Sequence, residues 1–169
     1  PNLTPQLSGN VRAMQAPSGF LYFLGLGAVG PLTSKPVRQA INYAIDKDAI
    51  VEGILKGQAT RVDGALLEAS TGYTPDVTPK YRYDPARARE LLAQAGYPNG
   101  FQTELVHPIG RYTGDVDMAN VIAAQLGQVG IQVTLKPTET SSYLAQTRSG
   151  TFPLFLYGSP GLGKTHLLV

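Results

Sequence analysis

Two places in the chain carry residue types and spacings that point to chemistry. The first is Gly158 to Thr165, GSPGLGKT, which satisfies the G-x-x-x-x-G-K-[ST] pattern of a phosphate loop. In such a loop backbone N–H groups and a following helix N-terminus cradle phosphates, with Gly158 and Gly163 giving the turn its freedom. Lys164 would reach the terminal phosphates and Thr165 would offer its hydroxyl to Mg²⁺, so the implied ligand is ATP with Mg²⁺. The second is Arg111 in GRY, between a strand end and a helix start, where a guanidinium can pair bidentately with a carboxylate. Tyr73, Tyr81 and Tyr83 supply apolar rings with hydroxyl handles that can line a pocket or pack a loop onto its own domain.

Other polar residues are better explained without chemistry. The chain has two histidines and no cysteine, so neither a His-based nor a thiolate metal site has enough ligands, and His107 before Pro108 reads as structural or surface. The pairs Asp46/Asp48 and Asp115/Asp117 stand at predicted helix starts, where capping accounts for carboxylates. No nucleophile and base pair stands out, and the reading is not an enzyme.

The elements that must position these groups follow from periodicity. Phe20 to Leu26 reads as an apolar strand, and Ser34 begins a helix with Val37, Ala40, Ile41, Ala44 and Ile45 on one face. Asp46 restarts a second short helix. Gly57 to Tyr83, broken by Gly64, Gly72, Pro75 and Pro79, is a long irregular excursion of the kind that carries binding contacts. Asp84-Pro85 opens a helix that Gly96 stops. Beyond it, Phe101–Val106, Asp115–Val129, Ile131–Leu135, Ser142–Arg148 and Phe152–Tyr157 alternate strand, helix, strand, helix, strand. That order implies an α/β layer, a mixed sheet flanked by helices. THLLV, Thr165 to Val169, is expected to begin the helix of the phosphate loop.

At 169 residues and 43% hydrophobic the chain can bury one core. Lys and Arg number 14 against 12 Asp and Glu, a net +2 with no basic block, so no nucleic-acid footprint is present. No apolar run has the length of a membrane span, and residues 1 to 10 lack the pattern of an export signal, which the reading takes as already removed.

Three ordered segments carry a resemblance. PVRQAINYAIDKDAIVEGILKGQA (Pro36 to Ala59), YRYDPARARELLAQAGYPNGF (Tyr81 to Phe101) and IAAQLGQVGIQVTL (Ile122 to Leu135) resemble the family-5 extracellular solute-binding proteins. The resemblance implies an incomplete lobe of the periplasmic-binding-protein type II fold, covering Val11 to Tyr157. It further implies capture of a small peptide or similar solute without covalent chemistry, and handover to an ABC permease. The location it implies for the parent protein is periplasmic or extracellular. It implies that Arg111 can face the ligand cleft, and the excursion from Gly57 to Tyr83, with Tyr73 and Tyr81 as its candidate ligand contacts, is expected nearest the same cleft.

From Gly158 onward the residues instead resemble the Walker A loop of AAA+ ATPases. The chain is therefore divided into a lobe, 1–157, and a foreign or non-native tail, 158–169. A junction between two unrelated genes is the preferred origin, beside a non-native tail and a chance motif. With no Walker B carboxylate after it, the tail is not expected to hydrolyse ATP. A lobe without its partner exposes sheet edges and apolar surface, so self-association is expected, even as a chimeric fold with no evolved activity.

Overall fold

The computed structural model describes residues 20–64, 80–147, 152–160 and 166–168. Their backbone holds six strands, β1 (Phe20–Leu26), β2 (Thr60–Arg61), β3 (Phe101–Pro108), β4 (Ile131–Thr138), β5 (Leu154–Pro160) and β6 (His166–Leu168), in one mixed sheet of order β2-β6-β1-β5-β3-β4. β1 (Phe20–Leu26) lies near the middle, antiparallel to β5 (Leu154–Pro160) along its full length, from Phe20 opposite Pro160 to Leu26 opposite Leu154. β3 (Phe101–Pro108) runs parallel to β5 on one side and to β4 (Ile131–Thr138) on the other. α4 (Asp115–Gln128) makes the crossover between β3 and β4, and α5 (Thr140–Thr147) leads from β4 back to β5. The expected alternation of strands and helices and the α/β class both hold.

Local signals explain the helices. α1 (Lys35–Ala44) buries Val37, Ala40, Ile41 and Ala44, the stripe that helical spacing predicts, and Ile45 beyond its end is buried too. Ser34 occupies the N-cap without a capping bond from its side chain; proline in the first turn starts this helix instead. Asp46 does cap α2 (Lys47–Gly53), accepting from the Ala49 N–H at 2.9 Å. Asp84 caps α3 (Pro85–Gln94) in the same way through Arg87 N–H at 2.9 Å. Gly96, at φ +89°, ends that helix in the left-handed region where glycine carries no Cβ penalty.

Alternation sorts the sheet's two faces. Phe20, Tyr22, Leu24 and Leu26 of β1 join Leu154 and Leu156 of β5 in a core with α1, α3 and α4, centred on Ile41, Leu92, Met118, Ile122 and Leu126. The opposite face carries Phe23, Phe155 and Tyr157, with ring centroids 5.4 Å apart for Phe23 and Tyr157. Tyr143 of α5 covers part of it, fully buried, its hydroxyl donating to the Leu156 carbonyl. Burial pushes the Tyr143 phenol well above its ordinary range.

Two expectations need correction. The excursion from Gly57 is not wholly irregular: Thr60–Arg61 forms β2 at the sheet edge. Of the helix expected over Thr165 to Val169, the described residues His166–Leu168 form a strand instead, β6, parallel to both β1 and β2. The physical reason is backbone satisfaction. β6 fills the place between β1 and β2, and ladder bonds to two neighbours outweigh a local pattern that suits either conformation.

Candidate functional site

Three chain segments converge at one edge of the sheet. β3 and β5 are parallel, so their carboxyl ends lie together, and antiparallel β1 brings its first residue, Phe20, to the same edge. From that edge the two connections diverge: β3 continues through α4 to β4 on one side, while β5 continues to β6 beyond β1 on the other. Such a divergence opens a crevice at the carboxyl ends of the strands. A cavity of about 360 Å³ occupies this place, lined by Phe20, Tyr22, Leu55, Gln58, Arg111 and Tyr112, among others.

Asp115 builds the loop that enters this cavity. Its side chain, 4% exposed at the start of α4, turns back rather than along the helix. One carboxylate oxygen accepts from the N–H groups of Arg111 at 2.9 Å and Tyr112 at 3.1 Å, and the other from Val116 N–H at 2.9 Å. The capping role expected of Asp115 thus becomes a loop-fixing role. The preceding Gly114 makes this geometry accessible, with φ +72°.

Tyr112 is buried and packs against Phe20 and Tyr22, with ring centroids 5.6 Å from each. Its hydroxyl accepts from Arg111 Nε at 2.9 Å and donates to the Gly158 carbonyl at 3.2 Å. The Arg111 guanidinium carbon lies 5.2 Å from the Tyr112 ring centroid, a cation–π distance. Arg111 is exposed at the cavity, and its two Nη atoms have no hydrogen-bond partner among the described residues. Burial raises the pKa of the Tyr22 hydroxyl, with hydrogen bonds from Thr113 opposing the shift.

Gly158 has a role other than the one its motif suggests. It lies within β5, paired with Tyr22, and β5 passes the expected boundary after Tyr157 without a break. A Cβ there would stand 2.4 Å from the Phe20 ring and 2.9 Å from the Tyr112 ring. Glycine at this position lets the Phe20 and Tyr112 rings close over the strand, and its backbone is committed to the sheet and to Tyr112. Gly163, Lys164 and Thr165 lie outside the described residues. Among the described residues, the strand β6 stands where the strand-loop-helix setting of a phosphate loop calls for a helix.

The other expected site residues separate. Tyr81 is not in the cavity: its ring stacks edge-on against Tyr43 of α1 at 5.1 Å, and its hydroxyl lies 3.4 Å from Gln39 Nε2. Tyr83 is exposed and reaches Gln128 at 3.3 Å. Tyr73 lies outside the described residues. The excursion still reaches the site through its first residues, since Gln58 and Ala59 line the cavity opposite Arg111. His107 is buried in β3, its Nδ1 3.0 Å from the Pro108 carbonyl. Among the described residues no three His, Asp or Glu side chains are grouped to hold a metal ion.

One cluster lay beyond sequence reasoning. Lys47, 3% exposed, sits 3.4 Å from Asp63, which Arg61 also grips at 2.7 Å. Arg61 further pairs with Asp48 at 3.1 Å and donates to the Tyr81 carbonyl at 2.5 Å. It thus ties together α2, β2 and the far end of the excursion. Burial depresses Lys47 below its ordinary 10.5, against the pull of Asp63. Burial alone would raise Asp63, but the Arg61 hydrogen bond and charge, with Lys47, hold it below its ordinary 3.8. No sequence signal marked Lys47 as buried, because α2 is too short to show a clear polar face.

The class that this structure defines is an α/β lobe with a cation and aromatic rings at the carboxyl edge of its sheet. The comparisons identify which one: residues 3–162 match bacterial extracellular solute-binding proteins, family 5 middle, and the chain belongs to that family. The match includes Gly158 to Leu162. Heme-binding protein A of Haemophilus influenzae is 34% identical over 134 residues, 78% of this chain and 24% of that protein. Glutathione-binding protein GsiB of Pectobacterium atrosepticum is 39% identical over 119 residues, 69% of this chain and 22% of that protein. The ABC transporter-associated periplasmic binding protein DppA of Helicobacter pylori, solved with the peptide STSA, superposes with a TM-score of 0.77 at 31% identity. That superposition covers 86% of this chain and 28% of DppA. The chain spans about a quarter of the length of the curated relatives it matches, and its fold is part of a periplasmic-binding-protein type II lobe.

Proposed function

We propose that this chain forms one wall of a solute-binding cleft that holds a short peptide or similar carboxylate-bearing solute without chemistry. The observation that carries the reading is Arg111: a residue held at its backbone N–H and its guanidinium Nε, lining a cavity beside the rings of Phe20, Tyr22 and Tyr112. A peptide offers the matching chemistry, a terminal carboxylate for the cation and apolar side chains for Phe20, Tyr22 and Leu55. The glutathione-binding relative and the peptide-bound DppA support this class of solute. With that function go a parent protein outside the cytoplasm and an ABC permease as its partner, supported by the likeness to DppA, an ABC transporter-associated periplasmic binding protein.

The test is a ¹H–¹⁵N NMR titration of this chain with STSA peptide, since a single lobe binds weakly and NMR detects weak binding. Amide shifts are expected at Tyr22, Gln58, Arg111 and Thr113, and Arg111→Ala is expected to weaken binding about tenfold, the effect of losing one charge-assisted contact. Unchanged affinity in Arg111→Ala overturns the assignment.

Self-association is a second proposal, and the sheet supplies its surface. β4 has no partner on its outer side among the described residues, leaving Ile131–Leu135 as an open edge; Lys136 and Pro137 blunt only its end. Sedimentation velocity across micromolar concentrations is expected to show a dimer or higher species. A strictly monomeric profile would exclude it.

A further inference from the structure

We infer that the Tyr112 hydroxyl is the positioning group of this site: it orients the Arg111 guanidinium so that its Nη edge faces the solute carboxylate. The inference rests on the reading of the cavity given above and deepens it.

Arg111 is exposed, and an exposed guanidinium on a four-bond stem loses rotamer freedom when it engages a ligand, which weakens binding unless that freedom is already restricted. Restriction here comes from two sides. Asp115 fixes the backbone N–H at 2.9 Å. The Tyr112 hydroxyl accepts from Nε at 2.9 Å. With Nε engaged from one side of the fork, the Nη1 and Nη2 donors remain for a ligand, and these can form a bidentate pair with a carboxylate.

The hydroxyl can act this way only because its own proton is committed elsewhere. It donates to the Gly158 carbonyl at 3.2 Å, so a lone pair is directed to Arg111. The ring behind it is buried and wedged between Phe20 and Tyr22, which keeps the oxygen from following Arg111 outward. Gly158 completes the arrangement by leaving room for these rings, since a Cβ there would overlap Phe20 and Tyr112. Three segments distant in sequence therefore converge on one side chain: the loop after β3 and the end of β5 at its hydroxyl, and the start of β1 at its ring. This gives Gly158 a role in the solute site that is independent of any phosphate loop.

The discriminating variant is Tyr112→Phe, which keeps the ring and its packing while removing the oxygen. The measurement is NMR titration with two probes, STSA peptide and the same peptide carrying a C-terminal amide, against wild type, Tyr112→Phe and Arg111→Ala. In wild type the free acid is expected to bind about tenfold more tightly than the amide. In Tyr112→Phe the acid is expected to weaken about fivefold while the amide is unchanged, so discrimination shrinks. A purely structural role would weaken both probes equally, and that result overturns the inference. So does unchanged acid binding in Tyr112→Phe. If Arg111→Ala leaves acid binding unaltered, or wild type binds neither probe, the cavity reading itself fails. If Arg111→Ala removes the preference for acid and Tyr112→Phe does not, the cavity reading stands and only the positioning role is lost.

Discussion

Asp115→Ala is expected to lower the unfolding free energy by about 3 kcal/mol, because a buried carboxylate that three backbone donors depend on disappears at once. Tyr112 N–H lies in a buried setting and the N–H groups of Arg111 and Val116 are partly buried. Each donor left without a partner costs about 1–3 kcal/mol, less where water can enter, and the three losses are not additive. Asp115→Asn, which keeps one carbonyl oxygen as acceptor, should fall between the two. Urea unfolding followed by circular dichroism measures both. The loop also holds Arg111, so the alanine variant should lose STSA binding even at temperatures where it stays folded. A stability within about 0.5 kcal/mol of wild type, the usual range for surface substitutions, would show that the loop does not rely on this carboxylate.

The second large effect is expected at Asp63. Removing it as Asp63→Ala leaves Lys47, 3% exposed, beside Arg61 without its ion-pair partner, while the exposed Asp48 still pairs with Arg61. Breaking a fully buried pair costs about 3–5 kcal/mol; Asp63 is itself 19% exposed, which brings the expectation to about 2 kcal/mol. Lys47→Met removes the charge with its desolvation and should be close to neutral. The pH dependence has a definite sign. Asp63 is held below its ordinary 3.8, so its contribution is present above that value and is lost as pH falls through the lowered one. In Asp63→Ala that window is lost, and the remaining depressed lysine gives the same sign of slope in an alkaline window. Between its folded value and 10.5 the unfolded chain binds more protons, so the variant should recover stability as pH rises through that window. Thermal melts of the two proteins between acid and pH 10 test this, and parallel curves would remove Lys47 from the account.

Much of the architecture was legible because its signals are local. β1 carries an unbroken apolar run, Asp84-Pro85 fixes the start of α3, and Gly96 and Gly130 adopt the positive φ that ends a helix. Arg111 was legible as a loop cation for the same reason: it follows a strand and precedes a helix. The tyrosines were not separable in this way. Tyr81 and Tyr112 are alike in composition, and only the approach of α1 to one and of Gly158 to the other assigns the first to packing and the second to the cavity.

Gly158 shows where local reading ends. The spacing of glycines, lysine and threonine was a property of the chain alone and pointed to phosphate. Strand pairing with Tyr22, the rings of Phe20 and Tyr112, and the seating of His166–Leu168 beside β1 are properties of residues far apart in sequence. The same division holds for Lys47, which met Asp63 and lost its water only when α2 folded against β2. What the sequence by itself determined was the class of lobe, the order of its elements and the presence of a cation at a loop. What tertiary structure decided was which side chains share a cavity, because burial and hydrogen-bond partners are set by contacts across the sheet that no local pattern encodes.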